Sequence, residues 1–93
     1  MLFVTLCKAS KGGTSKERIA RRLEWKYPEG AKLVAEYWLQ GCQPSVIVVT
    51  EADSVAPVMA ALMAWEDVFE MTVAPAISAE EGLKLAKQMM QQK

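Results

Sequence analysis

The sequence predicts one α+β domain built around a four-stranded antiparallel sheet. Three kinds of observation lead to this fold class: short apolar runs typical of strands, two capping-box patterns that open helices, and turn residues between them. A chain of 93 residues is long enough for one modest core. Residues 1–93 are therefore interpreted as a single domain, and its elements follow in chain order.

The first strand and the first helix are predicted from the N-terminal third of the chain. Residues 2–7, LFVTLC, form a short apolar run with β-branched and aromatic residues, which indicates a buried strand. Thr14 and Glu17 match the capping-box pattern T-x-x-E, so a helix should begin there. Pro28 ends it. The predicted apolar stripe of this helix consists of Ile19, Leu23 and Tyr27.

A β-hairpin follows. Residues 32–39, KLVAEYWL, and 45–51, SVIVVTE, both have strand composition, and the turn residues of GCQP lie between them. Glu36 lies in the middle of the second strand, on a mixed set with Val34 and Trp38. Two interpretations of Glu36 remain open. If its face meets a partner sheet, the carboxylate is desolvated and its raised pKa suits a general base or ligand anchor. If strand two is an edge strand, Glu36 points to solvent or pairs with an arginine across the dimer interface.

The second helix is predicted to begin after Ser54 as its N-cap, which places Pro57 where a missing N–H breaks no helical bond. Its apolar positions, which recur at helical spacing, are Val55, Val58, Met59, Leu62 and Trp65.

The last strand and helix complete the chain. Residues 68–74, VFEMTVA, alternate with period two, as in a half-buried strand, and Pro75 favours an edge position. Ser78 and Glu81 form a second capping box, which opens a terminal helix.

The element order β-α-β-β-α-β-α is that of a ferredoxin-like fold with one appended helix. Right-handed crossovers then give the sheet order 4-1-3-2, with both crossover helices on one face. The opposite face would be bare although the strands are apolar on both sides, and a second copy of the chain is the simplest cover. The predicted interface draws on Phe3, Trp38 and the edge strand 68–74.

The composition and charge of the chain limit the classes of binding partner. The formal net charge is zero, which disfavours nucleic acid and anionic membrane as partners. Residues 1–32 hold eight Lys or Arg against three acids, an excess that we interpret as a solvated helix face complementing acids elsewhere. The chain shows neither a transmembrane run nor a signal-peptide pattern, so a cytoplasmic location is expected. No cofactor or metal site is predicted.

Two segments raise the question of chemistry. Trp65, Glu66 and Asp67 combine an aromatic ring with adjacent acids, but adjacent carboxylates diverge and Trp65 lies on the helical core stripe. We therefore predict a packing role for Trp65 and a turn role for Asp67. Cys7 and Cys42 should remain free, because strands one and two lie about 9.6 Å apart in this order, beyond the ~7 Å disulfide limit.

Three stretches resemble a known family: MLFVTL at the start, KLVAEYWLQG with SVIVVTEADS, and the final W-x-D with FEMTVAP. They are similar to the family of unknown function numbered three-three-zero-three, grouped with GYD-domain, EthD-like and antibiotic-biosynthesis-monooxygenase-like proteins. The resemblance implies a dimeric α/β barrel, a homodimer with a cavity between the sheets. The family pattern often has a histidine where this chain has Trp38. Since the chain has no histidine, histidine-based chemistry is not carried over.

The leading function predicted from the sequence is small-molecule binding in the inter-sheet cavity of a homodimer. The candidate cavity residues are Thr5, Cys7, Glu36 and Trp38; no catalytic residue is assigned. Two other function classes remain open, a small cofactor-independent enzyme of the monooxygenase or isomerase type and a structural adaptor dimer. An enzyme should show a buried polar group facing a roomy cavity, and an adaptor should show a filled one.

Overall fold

The structure is a computed structural model that describes residues 1–9 and 12–91. Within these ranges the chain forms four strands and three helices in the predicted order. Their bounds are β1 Leu2–Ala9, α1 Ser15–Glu24, β2 Lys32–Trp38, β3 Val46–Glu51, α2 Ala56–Trp65, β4 Phe69–Ala76 and α3 Ala79–Gln91. No helix in the described ranges is long and apolar enough to cross a membrane.

The strands form one antiparallel sheet in the order β2-β3-β1-β4, which is the predicted 4-1-3-2 order read from the other edge. The fold is therefore ferredoxin-like, with α3 as the appended helix. Pro75 lies in β4, an edge strand, as predicted. The register places Glu36 opposite Val48, and Val48 opposite Thr5, so these three side chains share one face of the sheet.

The predicted N-caps of α1 and α3 form. The backbone N–H of Glu17 donates to Thr14 Oγ1 at 3.2 Å, and that of Glu81 donates to the Ser78 hydroxyl at 3.1 Å. α2 begins one residue later than predicted, with Val55 rather than Ser54 as its N-cap. This places Pro57 in the first turn, where its missing N–H again breaks no helical bond.

The predicted apolar stripe of α1 is wrong at two of its three residues. The helix ends at Glu24, so Tyr27 lies beyond it, and Leu23 is 80% exposed. The arginines of α1 instead face the fold, because each finds oxygen atoms or an aromatic ring there. Arg21 stacks 4.5 Å from the centre of the Trp65 ring, and its guanidinium also donates to Asp67 at 2.9 Å and to the carbonyl of Ala64. The interpretation of the basic segment as a complement to acids elsewhere is thus confirmed for Arg21.

The core lies on the helix-covered face of the sheet. The odd-numbered side chains of β1 point to this face. Phe3 is only 4% exposed and packs with Ala52 and Val58. A second cluster contains Cys7, Trp65 and Phe69. The prediction that Phe3 and Trp38 form an interface on the bare face is therefore wrong, since Phe3 packs under α2 and Trp38 lies on the same sheet face. The alternation of residues in the sequence could not show which face of β1 the helices cover, because both faces of β1 are apolar.

The opposite face of the sheet carries the even-numbered residues of β1 and their neighbours. Leu6 is 40% exposed and Tyr37 is 60% exposed on this face. Leu6 pairs with Ile47 of β3 and Thr72 of β4. We call the patch formed by Val4, Leu6, Tyr37, Ile47 and Val49 the bare face.

A candidate ligand cavity between the sheet and its helices

A cavity of about 220 Å³ lies between the sheet and helices α1 and α2. All four residues predicted from the sequence, Thr5, Cys7, Glu36 and Trp38, line it. The cavity differs from the predicted one in position, because it lies under the chain's own helices and not between two sheets. The four residues are thus brought together within one chain, and their role in binding stays a prediction.

Glu36 is the centre of a hydrogen-bond network at the cavity wall. Its Oε1 accepts from Arg22 Nη2 at 3.0 Å and from the Tyr27 hydroxyl at 2.7 Å. Its Oε2 accepts from the indole N–H of Trp38 at 2.7 Å and from Arg22 Nε at 3.1 Å. Of the two interpretations left open by the sequence, pairing with an arginine is the one the structure shows, and the arginine belongs to the same chain.

This network sets the charge of Glu36. Burial raises the pKa of its carboxyl, but the hydrogen bonds from Arg22, Trp38 and Tyr27 together lower the pKa by more, so the net pKa lies below the usual glutamate value. The expectation of a raised pKa is therefore wrong. A carboxylate that is ionised and holds these hydrogen bonds is a poor general base, since protonating it would break them.

The partners of Glu36 are fixed in their protonated forms. The hydrogen bond to Glu36 raises the pKa of Arg22, and burial followed by the same carboxylate raises the pKa of Tyr27. Arg22 also donates to the carbonyl of Trp25 at 3.3 Å. The phenol therefore stays an O–H donor at neutral pH, and the charges of Arg22 and Glu36 compensate each other.

Cys7 lies on the cavity floor as a buried thiol. Burial, followed by the charge of Glu36, raises the pKa of this thiol to about 11. Because the thiolate is the reactive form, Cys7 is not an activated nucleophile at neutral pH. Cys42 is exposed, and both cysteines are free in the structure, as predicted.

Aromatic rings form much of the cavity wall. Trp25 meets Trp65 edge-to-face with ring centres 5.7 Å apart, and it meets Tyr27 at 4.6 Å. Trp65 is 8% exposed and belongs to the core cluster with Phe69, so its predicted packing role is confirmed. It also lines the cavity, which sequence periodicity could not show.

Thr50 is one of the cavity residues that sequence reasoning missed. Its side chain lines the cavity, is 3% exposed, and its Oγ1 has no hydrogen-bond partner. In the sequence it ends the run VIVVT, where threonine is an ordinary strand residue. The available signal was a hydroxyl in an otherwise aliphatic buried strand.

Comparison with known proteins identifies the family. The family described as Domain of unknown function (DUF3303) matches residues 1–90. The chain belongs to this family. Neither a curated protein nor a solved structure matches this chain.

The W-x-D stretch that carried the resemblance to DUF3303 has a structural explanation. Arg21 of α1 contacts both Trp65 and Asp67, stacking on the ring and donating to the carboxylate. It therefore ties α1 to the junction between α2 and β4. The Asp67 carboxylate is one partner in this ion pair, and neither Glu66 nor Asp67 lines the cavity. The stretch therefore has a structural role at the junction between α2 and β4.

The cavity wall combines aromatic rings with a small number of polar groups. Among the described residues, no cluster of three His, Cys, Asp or Glu side chains is placed to hold a metal ion. The polar groups at the wall include the compensated Arg22–Glu36 pair, the neutral phenol of Tyr27, several hydroxyls and the guanidinium of Arg18. Such a wall can offer dispersion contacts and neutral hydrogen bonds to a ligand.

Proposed function

We propose that this protein binds a small, mainly apolar molecule in the cavity between its sheet and helices. The observation that carries the proposal is the aromatic-walled cavity itself, in which all four residues predicted from the sequence converge. Ligand sites are typically concave and apolar, with few fixed polar groups. The Arg22–Glu36 pair supplies such groups, already held in place.

The size of the cavity sets the size of the ligand. An apolar cavity of about 150 Å³ accepts benzene, whereas sites for drug-sized ligands occupy roughly 300–1,000 Å³. The cavity of about 220 Å³ therefore suits a substituted single ring or a compact aliphatic molecule.

The two other function classes are less well supported. Buried polar groups do face the cavity, as expected of an enzyme of the monooxygenase or isomerase type. Such an enzyme would also need an activated group, yet Glu36 is engaged by three donors and Cys7 keeps its proton. An adaptor would be expected to have a filled interior, whereas this interior is open. Binding is the function class that both observations favour.

We further propose that the protein works as a homodimer joined through the bare face. This face is apolar at its centre. At its two ends it carries charged pairs on neighbouring strands: Lys8 is opposite Glu70, and Lys32 is opposite Glu51. A two-fold partner can align apolar centre with apolar centre and each cation with an anion. The cytoplasmic setting expected from the sequence stays part of the proposal, supported by two free cysteines.

Tryptophan signals provide the test of binding. The chain has three tryptophans, and Trp25, Trp38 and Trp65 all line the cavity. Titration with p-cresol or p-xylene should shift the three indole N–H signals in an NMR spectrum, with saturation. Native mass spectrometry of the freshly purified protein should also reveal any ligand that is carried along. Neither probe shifting any indole signal would contradict the proposal.

A further inference from the structure

The starting observation is the unpaired hydroxyl of Thr50. Its strand β3 lies between β2 and β1, so the backbone groups around Thr50 face paired strands on both sides. The buried Oγ1 nonetheless has no hydrogen-bond partner. A buried hydroxyl without a partner costs free energy, and native structures rarely keep one without a reason. Water can fill this role in an empty cavity, and a ligand oxygen can replace the water.

The surroundings of Thr50 form a small polar floor. Thr5 is opposite Val48, two residues from Thr50 along β3, which makes the two threonines diagonal neighbours on the same face. Thr5 is also buried and lines the cavity. Two hydroxyl-bearing residues therefore lie about 7–8 Å apart on this face, and each hydroxyl can donate or accept a hydrogen bond.

The charge near this floor is compensated. Glu36 lies in the same row of side chains as Thr5, with Val48 between them, and Glu36 is paired with Arg22. A carboxylate ligand placed here would have no free cation to meet and would be desolvated.

Arg18 is the remaining charged side chain at the cavity wall, and it lies elsewhere. Its guanidinium is 5.7 Å from the Phe69 ring, and Phe69 is opposite Ala9, whereas Thr50 is opposite Phe3. The two rows are six residues apart along β1, roughly 20 Å. This separation refers to Cα positions, and it places Arg18 toward the opposite end of the cavity from Thr50.

We infer that the ligand is an uncharged, mainly apolar molecule carrying one hydroxyl or carbonyl oxygen, and that this oxygen hydrogen-bonds to Thr50 Oγ1. The inference rests on the proposed function and adds the chemical class of the ligand. Thr50 thereby becomes a specificity-determining residue. It favours an alcohol, phenol or ketone over a hydrocarbon of the same shape, and the compensated floor excludes the corresponding acid.

The test uses three probes of matched shape: p-cresol, p-xylene and p-toluate, which carry a hydroxyl, a methyl and a carboxylate at one ring position. At pH 7 the phenol is neutral, since phenolic pKa values lie near ~10. The wild type should bind p-cresol about 5- to 10-fold more tightly than p-xylene, as expected for one buried hydrogen bond. It should bind p-toluate most weakly. Dissociation constants come from the indole N–H shifts.

Substitutions at Thr50 locate the effect. Thr50→Val removes the hydroxyl but keeps the shape, so the preference for p-cresol over p-xylene should disappear while p-xylene still binds. Thr50→Ser keeps the hydroxyl and should keep the preference. Thr72→Val makes the same change on the bare side of the sheet, where Thr72 is exposed, and should leave the preference unchanged. The melting temperature of Thr50→Val should not fall, because no intramolecular hydrogen bond is lost.

The outcomes separate the two proposals. Equal binding of p-cresol and p-xylene by the wild type, or a preference that survives in Thr50→Val, overturns the inference while cavity binding stands. If p-toluate binds most tightly of the three probes, the inference is also overturned, and Arg18 is the cation that would bind the carboxylate. If none of the three probes binds, both the inference and the proposed function fail.

Discussion

Arg22 and Glu36 join helix α1 to strand β2 across 14 positions of sequence, with Nη2 3.0 Å from Oε1. The pair is partly buried, and it orients the Tyr27 hydroxyl and the Trp38 indole around the same carboxylate. The pair therefore holds α1 over the sheet. It also makes this part of the cavity wall polar without a net charge.

The first prediction concerns acid stability. Since the folded pKa of Glu36 is lowered, its contribution is present above the unfolded glutamate pKa of about 4.3 and is lost as pH falls through the folded pKa. Glu36→Gln should lower the free energy of unfolding by about 1–2 kcal/mol at neutral pH and by less in acid. The free energy of unfolding of this variant should therefore depend less on pH than that of the wild type. Urea unfolding at neutral and acid pH measures this.

Glu24→Gln is the matched control for that experiment. Glu24 ends α1 with an exposed side chain, so the same loss of charge should leave the pH dependence close to that of the wild type. A Glu36→Gln protein whose stability changes with pH as steeply as the wild type would contradict the role assigned to the network.

The second prediction compares two tryptophans of the cavity. Trp65 is 8% exposed and Trp38 is 48% exposed. Trp65→Ala should lower the free energy of unfolding by about 3–5 kcal/mol, and Trp38→Ala by distinctly less. Trp65→Phe serves as the milder variant should Trp65→Ala not fold. Thermal unfolding of each variant gives the comparison, and a Trp65→Ala protein as stable as the wild type would argue against the core role.

The third prediction tests the cavity by filling it. Ala61 lines the cavity, whereas Ala60 on the same helix is exposed. Ala61→Phe should place a ring in the space and weaken p-xylene binding at least about tenfold, because one ring's worth of volume is lost. Ala60→Phe adds the same group outside and should bind normally. Equal effects of the two substitutions would show that the probe binds somewhere else.

The fourth prediction concerns assembly. If the bare face joins two copies, light scattering should report twice the 10.3 kDa of the chain. Leu6→Asp should give a folded monomer, because the charge would be buried only in the dimer. Leu23→Asp, at a more exposed leucine of α1, should remain dimeric. A wild type that is monomeric at micromolar concentration would rule the dimer out.

The fifth prediction uses thiol reactivity. Cys42 is exposed and should react quickly with a thiol reagent, whereas Cys7 is buried with a pKa of about 11 and should react only on unfolding. Thiol counting before and after denaturant distinguishes the two. Rapid modification of both cysteines in the native protein would contradict the buried position of Cys7.

The sequence by itself determined the order of the elements and the sheet topology. Period-two alternation, capping boxes at Thr14 and Ser78, and an edge-compatible Pro75 are local signals, and each depends on residues only a few positions apart. The right-handed crossover rule then converts that order into one strand arrangement. The candidate residues Thr5, Cys7, Glu36 and Trp38 also came from the sequence, because they are the polar or reactive groups of apolar strands.

Tertiary structure alone decided which way those groups face. Both sides of β1 are apolar, so no periodicity distinguishes the side of Phe3 from the side of Leu6, and only the docking of α2 settles it. The inward turn of the arginines of α1 depends on acceptors and rings supplied by β2, α2 and β4. The unpaired hydroxyl of Thr50 is visible only when every neighbouring donor and acceptor has a position, because a missing partner is a property of the packed fold and not of the residue.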